Sequence, residues 1–343
     1  MGLLKSRMPL SIVLSVFLSA FIFASSARAE IFTKKTSIMG TDLEMTVSAS
    51  EASTAEAAFS SVAEEMARIE SLMSEWQEGT PVSEINRNAG IKPVAVPDEV
   101  FKIISDAVLI SEASKGAFDI TWASMRGIWS FAPGTERLPS KEEVEGRLGL
   151  VNYLDIVLDR PKKTVYLKRK GMAIGLGAIA KGYAVDRAMK KIVRSGIKDA
   201  IVKAGGDMRV QGSGPDGPWK IGIQDPRDRE GLIGTLDLPN ISISTSGDYE
   251  RFFIKDGVRY HHIMDPKTGY PARGTRSVTI IGPDTETTDA LSTAVFVMGP
   301  EKGMEFVKSL KNIEPLEALI IDSEGRIHSS PGISLTQTAP ARP

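Results

Sequence analysis

Apolar and polar positions alternate from Ile31 to Val47 with a break at Met39-Gly40-Thr41, which predicts two strands joined by a tight turn. From Ala52 to Met73 the spacing changes to three and four, so that Phe59, Val62, Met66, Ile69 and Met73 share one face of a helix. A second helix is expected over Asp98 to Ser114, with Val100, Ile103, Ile104, Ala107 and Ile110 as its apolar stripe and Lys115-Gly116 as its stop. Beyond Ile156 the pattern becomes a series of short β-rich runs, near Val157 and at Val165 to Lys168, Met172 to Leu176, Ile201 to Ala204 and Met208 to Gln211. One helix, Ala180 to Ser195, interrupts them. Strands follow at Lys220 to Gln224, Ile233 to Leu238, Ile241 to Thr245, Phe252 to Lys255, Tyr260 to Met264 and Ser277 to Ile281, then helices at Thr288 to Val297 and Pro300 to Leu310. Successive strands with few helical crossovers point to an α+β fold of mostly antiparallel sheets with flanking helices.

The ends change the picture. Lys5 and Arg7 precede an apolar run from Leu10 to Ala24, and Ala27-Arg28-Ala29 is a small-residue cleavage site, so residues 1–29 read as a secretory signal peptide. The run is broken by Pro9, Ser11, Ser15 and Ser19 and falls short of the roughly 20 residues that a spanning helix needs. The expected organisation is a leader at 1–29, one domain at 30–330, whole or as two intimately joined lobes, and a loose tail at 331–343. The mature protein is expected to be soluble and periplasmic, with no stable membrane insertion. Losing Lys5, Arg7 and Arg28 with the leader moves the net charge from −1 to −4, and nothing in that balance suggests nucleic acid as a partner. The absence of cysteine excludes disulfides, thiolate nucleophiles and Cys-ligated metals.

Three stretches can carry chemistry. Gly175-Leu-Gly-Ala-Ile-Ala-Lys181-Gly182 opens a helix, where backbone N–H groups can meet phosphate oxygens; tight strand-to-helix packing explains the glycines equally well. Asp289 and Thr293 lie four apart on a helix, so their oxygens share a face that suits a hard cation, although a capping Asp gives the same pattern. His261 and His262, two of only three histidines, stand at a strand end before the turn Asp265-Pro-Lys-Thr-Gly269, and alternation sends one inward and one outward. One of them can serve as a general base.

In order along the chain, Met39-Gly-Thr41, Gly116-Ala-Phe-Asp119, Gly177-Ala-Ile-Ala-Lys-Gly-Tyr-Ala-Val-Asp186, Gly205-Gly-Asp207, Ser246-Gly-Asp-Tyr249, His262-Ile-Met-Asp-Pro-Lys-Thr-Gly269 and Asp289-Ala-Leu-Ser-Thr293 resemble the signature of the FAD:protein FMN transferase family, also called ApbE. The resemblance implies an α+β fold, FAD as donor, Mg²⁺ as cofactor and a Thr or Ser of another protein as acceptor, with release of AMP. Typical acceptors are periplasm-facing subunits of membrane redox complexes. It places flavin contacts at Met39, Trp76, Ala117, Phe118, Asp119, Lys181 and Ile263, and the metal between the Ala178 carbonyl and the side chains of Asp289 and Thr293. His262 becomes the expected base because it occupies the family position beside Ile263. Trp76 stands where many relatives have Tyr, and Ser292 where some have a second Asp, which leaves a fourth ligand or second metal open. The alternatives are an FAD-binding protein without turnover, an FAD pyrophosphatase giving FMN and AMP, and a dinucleotide oxidoreductase built on the Gly175 loop.

Overall fold

Eight strands lie side by side in the same order as they occur in the chain: Glu30–Ile38, Thr41–Ala49, Ala200–Ala204, Asp207–Gln211, Ser242–Gly247, Thr275–Gly282, Glu317–Asp322 and Ile327–Ser329. Every neighbouring pair is antiparallel. The computed structural model describes residues 29–311 and 315–336. The expected leader therefore lies outside the described residues, apart from Ala29.

Seven helices accompany the sheet among the described residues: α1 (Ala52–Met73), α2 (Pro81–Arg87), α3 (Asp98–Ala113), α4 (Lys141–Leu148), α5 (Ala180–Arg194), α6 (Thr285–Met298) and α7 (Pro300–Leu310). Period-two alternation decides which face meets them. In Thr41–Ala49, Leu43, Met45, Val47 and Ala49 are buried in the same cluster as Phe59, Val62 and Met66 of α1 and Val185 and Ala188 of α5. Each of the Leu, Met, Val and Phe side chains contributes roughly 1.5–3 kcal/mol when taken out of water. Glu317–Asp322 is covered on both faces: Ala318 and Ile320 pack with Leu291, Val295 and Phe296 of α6, while Leu319 and Ile321 pack with Ile221, Ile223 and Leu236 of a separate hairpin. That hairpin, Lys220–Asp225 with Asp228–Asp237, covers the sheet face opposite the helices.

The α+β, mostly antiparallel architecture is as expected, with local differences. Met172 to Leu176 alternates as a strand should, and Met172, Ile174 and Leu176 are all buried, yet it joins no ladder. Side chains bind its backbone instead: Asn86 Oδ1 accepts from Ile174 N at 2.8 Å, Asn86 Nδ2 donates to the Ile174 carbonyl at 2.9 Å, and Ser124 Oγ accepts from Ala173 N at 2.9 Å. The expected strand Tyr260 to Met264 is two pieces, Val258–His261 and Met264–Asp265, with His262 in the bend between them. The tail does not loosen at residue 331. Ile333 and Leu335 pack beneath the Lys220–Asp237 hairpin, and Thr336 exchanges two backbone hydrogen bonds with Thr235 at 2.9 and 3.0 Å. Residues 337–343 lie outside the described residues.

Candidate functional site

Helix α5 begins with Ala180, and its N-cap, Ile179, provides no side-chain hydrogen bond. The opening turn instead borrows a partner from α6: Gly182 N donates to Asp289 Oδ2 at 3.0 Å. This contact requires glycine, because a Cβ at position 182 would strike the Thr285 carbonyl oxygen of α6. Lys181, one residue earlier, directs its ammonium between two carboxylates, 2.6 Å from Asp207 Oδ2 and 3.2 Å from each Asp289 oxygen. Asp207 starts its strand directly after Gly205-Gly206, and Gly206 lies so close to the Thr245 carbonyl that a Cβ would collide with it.

Both carboxylates are almost wholly buried, and 27% of the Lys181 side chain is exposed. Burial disfavours the ammonium, but the charges of Asp207 and Asp289 outweigh it and hold Lys181 above the ordinary lysine range. Burial and the Asp207 charge push the Asp289 carboxyl up, against the opposing pull of Lys181 and the Gly182 N–H. Asp289 is not the cap of its helix. Asp284 holds that place, accepting from Thr287 N at 2.8 Å, and Asp289 projects from the second turn. On the same helix Ser292 bonds Ser246 Oγ at 2.8 Å, and Thr293 Oγ1 stands 3.4 Å from the same hydroxyl.

The two carboxylates and one ammonium make a buried, oxygen-rich cluster, and Thr293 follows Asp289 one turn along α6. That donor set fits a hard divalent cation. Among the described residues no three His, Cys, Asp or Glu side chains cluster to hold a metal, so such an ion would rely on hydroxyl and carbonyl oxygens as well.

The two histidines have separate tasks. His261 is buried: Nε2 meets the Ala272 carbonyl at 2.9 Å, Nδ1 accepts from Ile263 N at 3.3 Å, and the ring stands edge-on to Phe296 at 5.4 Å. Accepting at Nδ1 leaves the proton on Nε2, so His261 is a neutral structural crosslink, held down to about 4 by burial. His262 is anchored only by its backbone, N–H to the Arg251 carbonyl at 3.0 Å, and its Nδ1 is buried without a hydrogen-bond partner. Burial, then the charge of Arg251, depresses its imidazole to about 3, and Lys181 adds to the effect. This is far below the ordinary imidazole value near 6.5, so the ring is neutral at neutral pH.

The remaining expected contacts fall into two groups. Met39 and Gly40 form the two-residue hairpin loop, both with positive φ, 52° and 68°. A left-handed Met costs about 1–2 kcal/mol relative to an ordinary conformation, and strain of this kind concentrates at functional sites. Arg251 Nη2 donates to the Gly40 carbonyl at 2.9 Å, tying this loop to the His262 segment. Trp76 is 69% exposed, with the Arg126 guanidinium 4.0 Å from its ring centre. Arg126 lies 3.2 Å from buried Glu75, while its Nε and Nη2 are buried without hydrogen-bond partners. Glu75 in turn stands against the glycine loop, where a Cβ on Gly175 would meet its Oε1 at 2.9 Å.

Ala117, Phe118, Asp119 and Ile263 are buried in the fold. Phe118 is a core side chain. Asp119 caps the 3-10 turn Ile120–Met125, accepting from Thr121 N at 2.8 Å, Thr121 Oγ1 at 2.6 Å and Tyr153 N at 2.9 Å, so both carboxylate oxygens are occupied. Ala178 is half-buried in the turn leading into α5. Asp207, Glu75, Arg126 and Arg251 have no role assigned from the sequence; Asp207, within Gly-Gly-Asp, and Glu75, within Ser74-Glu-Trp76, lie in motifs that could flag them.

In three dimensions this arrangement belongs with the α+β flavin transferases. The chain superposes on the flavin transferase ApbE from Vibrio cholerae with a TM-score of 0.78 at 26% identity, covering 88% of this chain and 98% of that one. The ApbE protein from Thermotoga maritima gives 0.79 at 38% identity over 88% and 97%. Residues 39–319 match the ApbE family, and the chain belongs to it. A relative from Klebsiella pneumoniae (strain 342), FAD:protein FMN transferase, is 33% identical over 283 residues, 80% of this chain and 88% of its own length.

Proposed function

We propose that this chain is an FAD:protein FMN transferase that moves FMN from FAD to a Thr or Ser hydroxyl of an acceptor protein and releases AMP. The observation that carries the reading is the buried Lys181–Asp207–Asp289 cluster at the opening of α5, suited to a phosphate-bound cation, with a neutral His262 within electrostatic reach of Lys181. Asp289, Thr293 and the Ala178 carbonyl are the groups that would hold Mg²⁺. Bound there, it supplies neutralisation of charge on the leaving phosphate.

The protein's own groups then do the following. Lys181 fixes the carboxylates and presents positive charge toward the pyrophosphate. Trp76 offers an exposed aromatic face for stacking. The acceptor hydroxyl oxygen bonds to the FMN-side phosphorus, and the P–O bond to AMP breaks with its electron pair leaving on AMP. The hydroxyl proton passes to His262, whose basicity burial and then the Arg251 charge depress and a neighbouring phosphate charge raises. General-base help of this kind is typically worth about 10²–10⁴-fold. Water reaching the same phosphorus would give FMN and AMP, a side reaction consistent with the exposed part of Lys181.

The acceptors in this reading are periplasm-facing proteins of membrane redox complexes, reached after export and cleavage behind Ala29. Incubating the mature chain with FAD, Mg²⁺ and candidate periplasmic acceptors, followed by mass analysis, tests it. The expected result is a covalent gain of one FMN on a Thr or Ser; FAD consumption without any modified protein in every case overturns the transferase. N-terminal sequencing of the exported chain tests the leader, with Glu30 expected first.

A further inference from the structure

The hairpin Phe252–Lys255 with Val258–His261 forms a two-stranded sheet of its own; on the Val258–His261 side Arg273 Nη1 donates to the Arg259 carbonyl at 2.8 Å, while among the described residues no further strand pairs with the Phe252–Lys255 edge. Free strand edges are templates for another chain. The ladder continues beyond the strands, where His262 N–H donates to the Arg251 carbonyl at 3.0 Å, so the base of this ribbon is the candidate general base itself.

One face of the ribbon is filled. Phe253 and Tyr260 stack with centroids 5.3 Å apart, and Phe131 and Trp129 continue the cluster. The opposite face presents Ile254, 61% exposed, beside its cross-strand partner Arg259, whose guanidinium lies 3.7 Å from the centre of the Phe252 ring. From Arg251 to His262 the ribbon carries Arg251, Lys255 and Arg259 against Asp256 alone, and Arg273 stands 5.4 Å from the Tyr260 ring centre. This local excess of positive charge sits in a chain whose overall charge is −1.

We propose that the ribbon is the docking strand for the acceptor protein: an extended acidic segment adds to its free Phe252–Lys255 edge, meets Arg259 with its carboxylates where that guanidinium crosses Phe252, and delivers its hydroxyl to the base of the hairpin at His262. Main-chain pairing supplies affinity and Arg259 supplies selection by charge. A ribbon four residues long gives a track of roughly 13 Å, enough to fix the register of a segment before it reaches the site. The proposal rests on the transferase reading, and its test separates the two.

The probe is a short fluorescein-labelled peptide with one central Thr between aspartates, compared with the same peptide carrying lysines. Binding is followed by anisotropy without turnover for wild type, Arg259→Glu and Ile254→Asp, with FAD affinity measured alongside as the control for an intact fold. The aspartate peptide is expected to bind wild type in a salt-sensitive manner, to lose about tenfold or more in both variants, and to be outcompeted by the lysine peptide in Arg259→Glu, with FAD affinity unchanged. Equal binding of the two peptides, wild-type affinity in both variants, or binding to phosphatidylserine vesicles in place of either peptide overturns the docking strand. Peptide binding as expected, with no FMN transferred to any of the full-length periplasmic acceptors, leaves the docking strand standing and removes the transferase reading.

Discussion

The ammonium of Lys181 sits 2.6 Å from Asp207 and 3.2 Å from both oxygens of Asp289, joining the opening of α5 to a sheet strand and to α6. A single cation thus holds two buried carboxylates that would otherwise repel one another across a dry site.

Lys181→Met should therefore destabilise the fold by on the order of 3 kcal/mol, since removing one partner strands a buried charge. Because a divalent ion can take over the neutralisation, Mg²⁺ should raise the unfolding midpoint of the variant more than that of wild type. Urea unfolding with and without Mg²⁺ measures both effects, and an unchanged midpoint in the variant removes Lys181 from this role.

Transfer should vanish in Asp289→Ala and in wild type treated with EDTA, with Mg²⁺ restoring only the wild type. The basis is the Asp289 carboxylate, which α6 turns toward the opening of α5 one helical turn before Thr293. Activity of Asp289→Ala in metal-free buffer would falsify the assignment.

The two histidines should separate cleanly. His262→Ala is expected to keep its unfolding midpoint and FAD affinity while single-turnover transfer falls by about 10²–10⁴-fold. His261→Ala loses bonds to Ile263 and Ala272 and its packing on Phe296, so it should lose stability by a few kcal/mol. Paired FAD dissociation constants, transfer rates and midpoints decide; a His262→Ala chain that transfers at the wild-type rate rules it out as the base.

Acid should narrow the stability gap between wild type and His261→Gln. The folded His261 is held near 4, below its ordinary 6.5, so the unfolded chain takes up a proton that the folded chain refuses. Its stabilisation is complete above pH 6.5 and is lost as pH falls toward 4, up to about 3 kcal/mol. Glu286 and Asp289, whose carboxyls burial pushes upward, act in the opposite direction over part of this range, which is why the comparison is between two proteins. Denaturant titrations at pH 7 and pH 4.5 supply the numbers, and a constant gap contradicts the burial argument.

Replacing Met39 by Gly should stabilise the hairpin by up to about 1 kcal/mol, because glycine adopts the left-handed conformation without a Cβ clash. If the side chain serves the flavin, FAD affinity should fall at the same time. A variant that gains stability with unaltered FAD binding shows the strained Met39 to be idle.

Much of this protein is legible in one dimension, because periodicity reports burial. The stripe Phe59, Val62, Met66, Ile69 and Met73 marks α1, Ala52–Met73, and the hairpin break at Met39-Gly40 is where the turn lies. The same signal misreads Met172 to Leu176: burial alternates there, but ladder bonds do not, since Asn86 and Ser124 serve the backbone from elsewhere. The strand Glu317–Asp322 went unmarked although Ala318 to Ile321 is a continuous apolar run, the signature of a strand covered on both faces.

For the site, the motifs identified by resemblance located the lysine, the Asp–Thr pair and the histidines, all carried by short stretches of chain. What tertiary structure decided is which charges meet and which are spent. Asp207 and Asp289 lie 82 positions apart and share one ammonium; Asp119 is consumed as a cap, and His261 as a crosslink. Adjacent imidazoles with the same intrinsic chemistry acquire different roles because one has both nitrogens satisfied and the other keeps a buried nitrogen free. Sequence spacing sets which side chains can face the same way. Desolvation and the identity of distant neighbours set their charge and availability, and those are properties of the folded chain alone.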